Sequence, residues 1–165
     1  MNTKPNKGFT LVELIVVILL LAIISATAIS RFGGRQVYEL YALQEQTSSV
    51  IRQIQLNRMQ SNMDMSVSGA ESLRIVAANN CIGSQSACNN ISETRSDVIA
   101  SDDYSFASVP TSSYSSPIEF NLLGNPENTA SSGVQITISS NNSSDRAWVC
   151  INSQGFVYPS NQVCP

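Results

Sequence analysis

The sequence predicts an α+β fold, in which one long amino-terminal helix packs on a carboxy-terminal antiparallel β-sheet domain. Three observations support this. An apolar run extends from Phe9 to Ile29, helical spacing continues to about residue 63, and the rest is rich in Ser, Asn, Thr and Gly with short apolar islands. We therefore divide the 165-residue chain into a short polar leader (residues 1–8), an apolar helix (9–29), an amphipathic helix (30–63) and a β-rich region (64–165). Its length suits one domain with a modest core.

The apolar run is long enough to cross a membrane as a helix. Its 21 residues would span about 31 Å, which matches the hydrocarbon core. Both lysines of the chain, Lys4 and Lys7, precede the run, which predicts a cytoplasmic amino end and an exported remainder. Cleavage beyond the run, near the small residues "ATA", is the alternative expected of an ordinary secretory signal.

Helical periodicity continues beyond the apolar run. Apolar or small residues recur every three or four positions and predict one buried face: Leu40, Leu43, Thr47, Val50 and Ile54, widened by Tyr41 and Ile51. Gly33 and Gly34 weaken helix locally, by about 1 kcal/mol each. They indicate either a hinge between the two halves of the helix or a site where two helices pack closely.

Beyond about residue 65, the apolar islands predict short strands. They are "SLRIVAA", "YSFASV", "PIEFNLL", "GVQITISS" and "RAWVCINSQGFVY", and most have β-branched or aromatic residues between turn residues. The island "VQITI" alternates as a strand with one solvated face would. The chain therefore ends in a β-rich head.

Composition excludes several function classes. The chain contains no histidine, so a Ser-His-Asp or Cys-His mechanism is impossible, and a Ser-Lys dyad would need a lysine that the head lacks. The adjacent carboxylates Asp102 and Asp103 are interpreted as solvated loop residues. With a net charge of −3, nucleic acid is not an expected partner. We predict a protein that is not an enzyme and needs no cofactor.

Four cysteines follow the apolar run: Cys81, Cys88, Cys150 and Cys164. An even number in an exported domain indicates disulfides, because that compartment is oxidising. A zinc site is the competing interpretation, but the spacing lacks the short knuckles that zinc sites use, and we predict no metal. Three pairings are possible. We favour Cys81 with Cys88 and Cys150 with Cys164, because each pair brackets a short segment with turn residues.

The segment "KGFTLVELIVVILLLAI" raises the question of Glu13, a carboxylate within an apolar helix. This segment resembles the class III signal of type IV prepilins and of the pseudopilins of type II secretion: a basic leader, Gly8, Phe9, and Glu13 four residues later. The resemblance implies a pilin-like fold. It also implies that a prepilin peptidase cuts between Gly8 and Phe9 and methylates the new amino group of Phe9, while the helix remains as anchor and assembly stem.

Cleavage at that bond would create an ammonium group on Phe9 of each subunit. Glu13 of one subunit could then pair with the ammonium of its neighbour, an attraction of about 4 kcal/mol at 4 Å and an effective dielectric constant near 20, before desolvation. A contact of Glu13 with the helix dipole, or a chance polar residue in a signal anchor, is the alternative.

The resemblance also suggests a subtype. Arg31 and Phe32, the island "PIEFNLLGNP" and the carboxy-terminal "WVCINSQGFVYPSNQVCP" are most similar to minor pilins of the mannose-sensitive haemagglutinin pilus type and to H-type pseudopilins. The chain departs from many of these relatives at Ser30, where they carry proline. The expected partners are prepilin peptidase, other pilin subunits, the inner membrane and the pilus assembly machinery. The expected location is the inner membrane with a periplasmic head, then the pilus or cell surface.

Two other function classes remain open. One is a membrane-anchored or secreted periplasmic enzyme, which would depend on carboxylates. The other is a membrane-anchored binding module, in which Trp148, Phe156 and Tyr158 would contact sugar or protein. Trp148 lies in an apolar run beside Cys150, so we expect it in the core rather than in a binding site.

Overall fold

The structure is a computed structural model and describes residues 9–32, 35–92, 94–110, 113 and 115–165, with side chains left undescribed at 27 and 29–37. The chain divides into two compact units, Met1–Tyr38 and Glu39–Pro165. From here on we call them the stem and the head, so the head includes residues 39–63 as well as the β-rich region predicted for residues 64–165. The element order, helices first and antiparallel sheets after them, confirms the predicted α+β class.

The stem contains helix α1, Leu11–Phe32. The residues described include no helix that is both long enough and apolar enough to cross a membrane. The transmembrane span predicted for residues 9–29 is therefore not confirmed and remains a prediction. Gly33 and Gly34, where the sequence predicted a hinge or a close packing site, lie outside the described residues.

Helix α2, Arg35–Gln60, supplies the helical layer of the head. Its buried face is the one predicted, with Leu40, Val50, Ile51, Ile54 and Thr47 buried and Leu43 packed against the core. The prediction for Tyr41 was wrong, because its side chain is 45% exposed. Tyr41 lies about 100° around the helix from Leu40, at the flank of the buried face.

Two antiparallel sheets form the remainder of the head. The smaller sheet has the order β1-β2-β3, with β1 Ile75–Ala78, β2 Cys81–Ser84 and β3 Val98–Ala100. The larger sheet has the order β4-β5-β6-β7, with β4 Tyr104–Val109, β5 Gly133–Ser140, β6 Arg146–Asn152 and β7 Val157–Ser160. Helix α3, Gln85–Asn89, follows β2, and short 3-10 helices lie at Ala70–Leu73 and Asn128–Ala130.

The head core lies between α2 and the inner faces of the sheets. In β5 the alternation predicted from "VQITI" is confirmed, since Val134, Ile136 and Ile138 are buried and the residues between them are half-buried. The expectation for Trp148 was wrong. Its neighbours on β6, Ala147 and Val149, are buried, and successive side chains of a strand point to opposite faces, so Trp148 is half-buried on the outer face.

Polar side chains of α2 also hold the head together. Gln44 donates to the carbonyls of Trp148 and Ser160 at 2.7 and 2.8 Å, and Arg52 donates to the carbonyl of Val157 at 2.7 Å. These carbonyls belong to β6 and β7, and β7 is an outer strand of its sheet. The helix therefore covers an edge that would otherwise be open to pairing with another chain.

Candidate functional site

The candidate site is the amino-terminal helix α1, and its first turn is set by the residues around Glu13. The Oγ1 atom of Thr10 accepts a hydrogen bond from the Glu13 amide at 3.2 Å, and the Thr10 carbonyl accepts one from the Leu14 amide at 3.3 Å. Thr10 is thus the N-cap residue and Glu13 is the third helical residue, which is the spacing of a capping box, with the hydrogen bond from the Glu13 amide to the Thr10 hydroxyl in place. The spacing Thr-x-x-Glu was present in the sequence, and our sequence analysis missed it.

This position gives Glu13 a local role. Glu13 is the acidic residue of the first turn, where the unpaired amides and the helix dipole favour a negative charge, by about 0.3–1 kcal/mol. Its side chain is exposed. The geometry therefore agrees with the helix-dipole alternative, and it also leaves the carboxylate accessible to a group outside the chain.

The apolar side chains of α1 are exposed on every side of the helix. Their exposed fractions run from 43% at Ile15 to 75% at Leu11 for the following residues: Leu11, Val12, Leu14, Ile15, Val16, Val17, Ile18, Leu19, Leu20, Leu21, Ile23 and Ile24. A helix that is apolar all round belongs in an apolar environment, such as a bundle of helices or a membrane. Helix α1 therefore needs a partner other than water.

Two hydroxyl groups of the described stem bond to the helix itself. The hydroxyl of Ser25 donates to the Leu21 carbonyl at 2.7 Å, and Thr10 caps the first turn. A polar side chain bonded to its own helix can enter an apolar medium without leaving an unpaired group. The side chain of Thr27 lies outside the described residues.

The predicted processing site is described only in part. Gly8 lies outside the described residues, whereas Phe9 is 85% exposed just before the helix begins. The exposure of Phe9 leaves the carboxy-terminal side of the predicted cleavage site accessible to a peptidase. The bond between Gly8 and Phe9 and the methylation of Phe9 remain predictions.

The four cysteines form two disulfides in the head, Cys81–Cys88 and Cys150–Cys164. These are the pairs favoured by the turn segments between them. The first joins the start of β2 to helix α3, and the second ties the carboxy-terminal segment to β6. In the part of the chain that the structure describes, no group of acidic or cysteine side chains could hold a metal ion.

The other candidate residues do not form a site. Asp102 and Asp103 are exposed in the bend before β4, as predicted for solvated loop residues. Phe156 and Tyr158 stack, with ring centroids 5.5 Å apart, and Phe156 is 63% exposed. Trp148 occupies the outer face of β6.

Comparison with known proteins identifies the amino-terminal segment. Residues 3–29 match the family model of the prokaryotic N-terminal methylation motif. No curated protein and no solved structure matches the chain. The motif covers Gly8, Phe9, Glu13 and the apolar part of α1, the residues singled out by their chemistry. The chain therefore carries the signal of a precursor of the type IV pilin and pseudopilin type.

Proposed function

We propose that the chain is a structural, non-enzymatic subunit of a type IV pilus or pilus-like fibre, and a minor one. The observation that carries this proposal is the methylation motif on a helix whose apolar side chains are exposed all round. A signal peptide that is discarded has no need of a later partner, whereas a retained stem must find one. Other stems would supply it in the fibre, and lipid would supply it before assembly.

Processing begins the proposed sequence of events. Prepilin peptidase cuts the bond between Gly8 and Phe9 and methylates the Phe9 amine. Glycine at position 8 leaves the peptide bond unobstructed, because it carries no side chain. The protein is then held in the inner membrane by its stem, with the head in the periplasm.

Assembly follows through the stem. When stems pack together, Glu13 of one subunit pairs with the Phe9 ammonium of the next, which sets the axial register and neutralises a carboxylate in apolar surroundings. Thr10 supports this pairing, because its cap holds the first turn in helical form. The disulfide-bonded head lies on the outside of the fibre.

The experiment that tests processing is amino-terminal sequencing of the membrane form by mass spectrometry. We expect a chain that begins at N-methylated Phe9. A chain that begins beyond residue 25 would show ordinary secretion and overturn the proposal. Gly8→Val should leave uncleaved precursor in the inner membrane, whereas the control Asn2→Val, which lies outside the matched residues 3–29, should be processed normally.

A second experiment tests whether Glu13 sets the axial register of neighbouring subunits. Glu13→Gln keeps the size of the side chain and removes its charge, so we expect normal processing but at least tenfold less subunit in sheared fibres, since an ion pair in apolar surroundings is lost. Glu45→Gln, at an exposed position of α2, is the matched control and should be incorporated normally. Equal incorporation of both variants would remove Glu13 from the assembly mechanism. Subunit abundance in the same fibres would separate a minor from a major role.

A further inference from the structure

The segment at the end of helix α2 concentrates the methionines of the chain. Of the four methionines, Met1 lies ahead of the predicted cleavage site, and the others are Met59, Met63 and Met65. A chain that begins at Phe9 would therefore carry all its methionines within seven positions. Methionine is among the residues most often fully buried in proteins, yet Met59 is 43% exposed, Met63 is 41% exposed and Met65 is half-buried. Packing in the core thus does not account for the cluster.

Two arginines hold this segment in place. Helix α2 ends at Gln60, and Nη1 of Arg58 donates to the Met63 carbonyl at 3.0 Å, so Met63 stays beside the last turn of the helix. The guanidinium of Arg74 donates to the Met65 carbonyl. Both hydrogen bonds use the main chain of the segment and leave the methionine side chains out of these contacts.

The two arginines are themselves anchored on consecutive residues of the head. Nε of Arg58 donates to the Phe120 carbonyl at 3.0 Å, and Nε of Arg74 forms an ion pair with the Glu119 carboxylate at 2.7 Å. Arg58 is also buried, at 8% exposure. The main chain that carries the methionines is therefore tied to one place in the head by two arginine side chains.

This arrangement keeps the three methionines close to one another. Met63 and Met65 are two residues apart, which separates their Cα atoms by at most about 7 Å. Met59 lies in the last turn of α2, next to Arg58, whose guanidinium bonds to the Met63 carbonyl. A methionine side chain is unbranched and has three rotatable bonds. The three sulfur atoms can therefore converge on one ion without a change in the main chain.

The chemistry of the thioether decides which ion suits such a site. Thioethers are soft ligands that favour Cu(I), and Ag(I) has the same charge and prefers the same ligands. The chain has no histidine, and its four cysteines form the two disulfides, so the methionines are its soft ligands. Our prediction of no metal concerned zinc on the cysteines, and zinc sites use thiolate, imidazole and carboxylate ligands.

The charges around the methionines favour a monovalent cation. Residues 58–74 contain two arginines, Arg58 and Arg74, and two carboxylates, Asp64 and Glu71. The Glu119 carboxylate, paired with Arg74, is the third. Three carboxylates and two arginines leave one negative charge, which an ion of charge +1 would neutralise.

We propose that Met59, Met63 and Met65 form a binding site for Cu(I). The three sulfur atoms supply the ligands, and the arginine contacts hold the segment that carries two of them. The site lies in the head and uses no residue of the stem, so it does not rest on the proposed role in a fibre.

Methyl NMR of the full chain in detergent tests the site, with Ag(I) and Cu(I) as the probes. The methionines are labelled with ¹³C in their methyl groups, and substitution by leucine assigns each signal. We expect the signals of Met59, Met63 and Met65 to shift together when Ag(I) is added in a chloride-free buffer, and when Cu(I) is added without oxygen. Zn(II) should leave all three signals in place. A shift of fewer than three signals, or an equal response to Zn(II), would overturn the proposal.

Leucine variants separate the role of the sulfur atom from that of an apolar side chain. Met63→Leu keeps a similar size and removes the sulfur, so the affinity for Ag(I) should fall at least about tenfold, since loss of a group that merely orients a metal ligand already costs about 10–100-fold. Met59→Leu should show the same loss. The control Val67→Leu, at a position that is 46% exposed in the same segment, should bind Ag(I) as wild type does.

Thermal unfolding of the head should be the same for all three variants, because the substituted side chains are exposed. An unchanged affinity for Ag(I) in Met63→Leu and Met59→Leu, or an equal loss in Val67→Leu, would contradict the proposed site. Neither result would bear on the proposed function, which is tested by the first residue of the membrane form and by the subunit content of fibres.

Discussion

The two long helices of this chain differ in whether their apolar side chains are buried within the chain. Helix α1 is apolar almost throughout, yet its apolar side chains are exposed, whereas α2 is more polar and buries a complete face. The difference lies in what the chain provides beside each helix. The two sheets of the head cover α2, and the described part of the stem contains no comparable layer for α1. Burial within the chain is thus decided by available partners rather than by hydropathy.

Hydrogen bonding differs between the helices in the same way. On α2, Gln44, Arg52, Gln55 and Arg58 all donate to main-chain carbonyls outside the helix. On α1, Ser25 bonds to its own helix, and Thr10 bonds to the first turn that it caps. Helix α2 is therefore part of a fixed structure. In helix α1, the described hydroxyls of Thr10 and Ser25 bond to their own helix, and no bond to the head holds them.

The largest effect we predict is a loss of head stability when an aliphatic side chain is truncated in α2, whereas the same kind of truncation in α1 should have no effect on it. Ile54→Ala removes a fully buried side chain from the head core and should lower the free energy of unfolding of the head by about 2–5 kcal/mol. Leu19→Ala, at a position that is 58% exposed in the stem, should leave that free energy unchanged. Thermal unfolding of the full chain in detergent, followed by head circular dichroism, would measure both. Equal losses would show that stem and head are not separate units.

The carboxy-terminal disulfide should contribute an effect of similar size. Replacing Cys150 and Cys164 with Ser opens a loop with a sequence separation of 14 residues, at a cost of about 3 kcal/mol by chain entropy. Opening Cys81–Cys88, with a separation of 7, should cost slightly less, about 2.5 kcal/mol by the same relation. Urea unfolding of the two variants gives the order. A larger loss for the Cys81–Cys88 variant would contradict the entropic explanation.

Removing the Gln55 amide, which donates to the carbonyls of Gly124 and Gly155 in two separate turns, should lower the stability of the head by a smaller amount. Gln55→Met leaves the carbonyls of Gly124 and Gly155 without their shared donor, which should cost about 1–3 kcal/mol. Gln60→Met, at an exposed position in the last turn of α2, is the matched control and should cost little. Thermal unfolding of both variants in the full chain provides the test. If the two substitutions lower the free energy of unfolding equally, Gln55 does not join the two turns in solution.

The sequence predicted those features that depend on periodicity and composition. The buried face of α2, the alternation of β5 and the α+β class all follow from patterns that repeat over several residues. Trp148 was misplaced because an apolar run does not show which face of a strand each residue takes. The hydrogen bonds from Gln55 to the carbonyls of Gly124 and Gly155 could not be predicted from the sequence. They depend on two turns, 31 residues apart in sequence, that meet only when the larger sheet and α2 are packed together.

The smallest effect concerns an ion pair of the head. Arg95 donates to Asp97 at 2.6 and 2.9 Å, and Ser84 donates at 2.5 Å. The hydrogen bonds from Arg95, followed by that from Ser84, hold the pKa of the Asp97 carboxyl below its usual range. Since the folded state then binds fewer protons than the unfolded state, the pair stabilises the head above the unfolded pKa near 4, and this contribution disappears as the pH falls through the lower pKa of the folded state.

Asp97→Asn should therefore lower the melting temperature of the head at pH 7, and the difference from wild type should narrow as the pH approaches 3. The pair is partly exposed, with side-chain exposures of 36% for Arg95 and 19% for Asp97, so we expect no more than about 1 kcal/mol. Asp102→Asn, at an exposed loop position, is the control and should leave the melting curve unchanged at both pH values. A difference between Asp97→Asn and wild type that stays constant from pH 7 to pH 3 would mean that altered hydrogen bonding to Arg95 and Ser84, rather than lost charge, causes the effect.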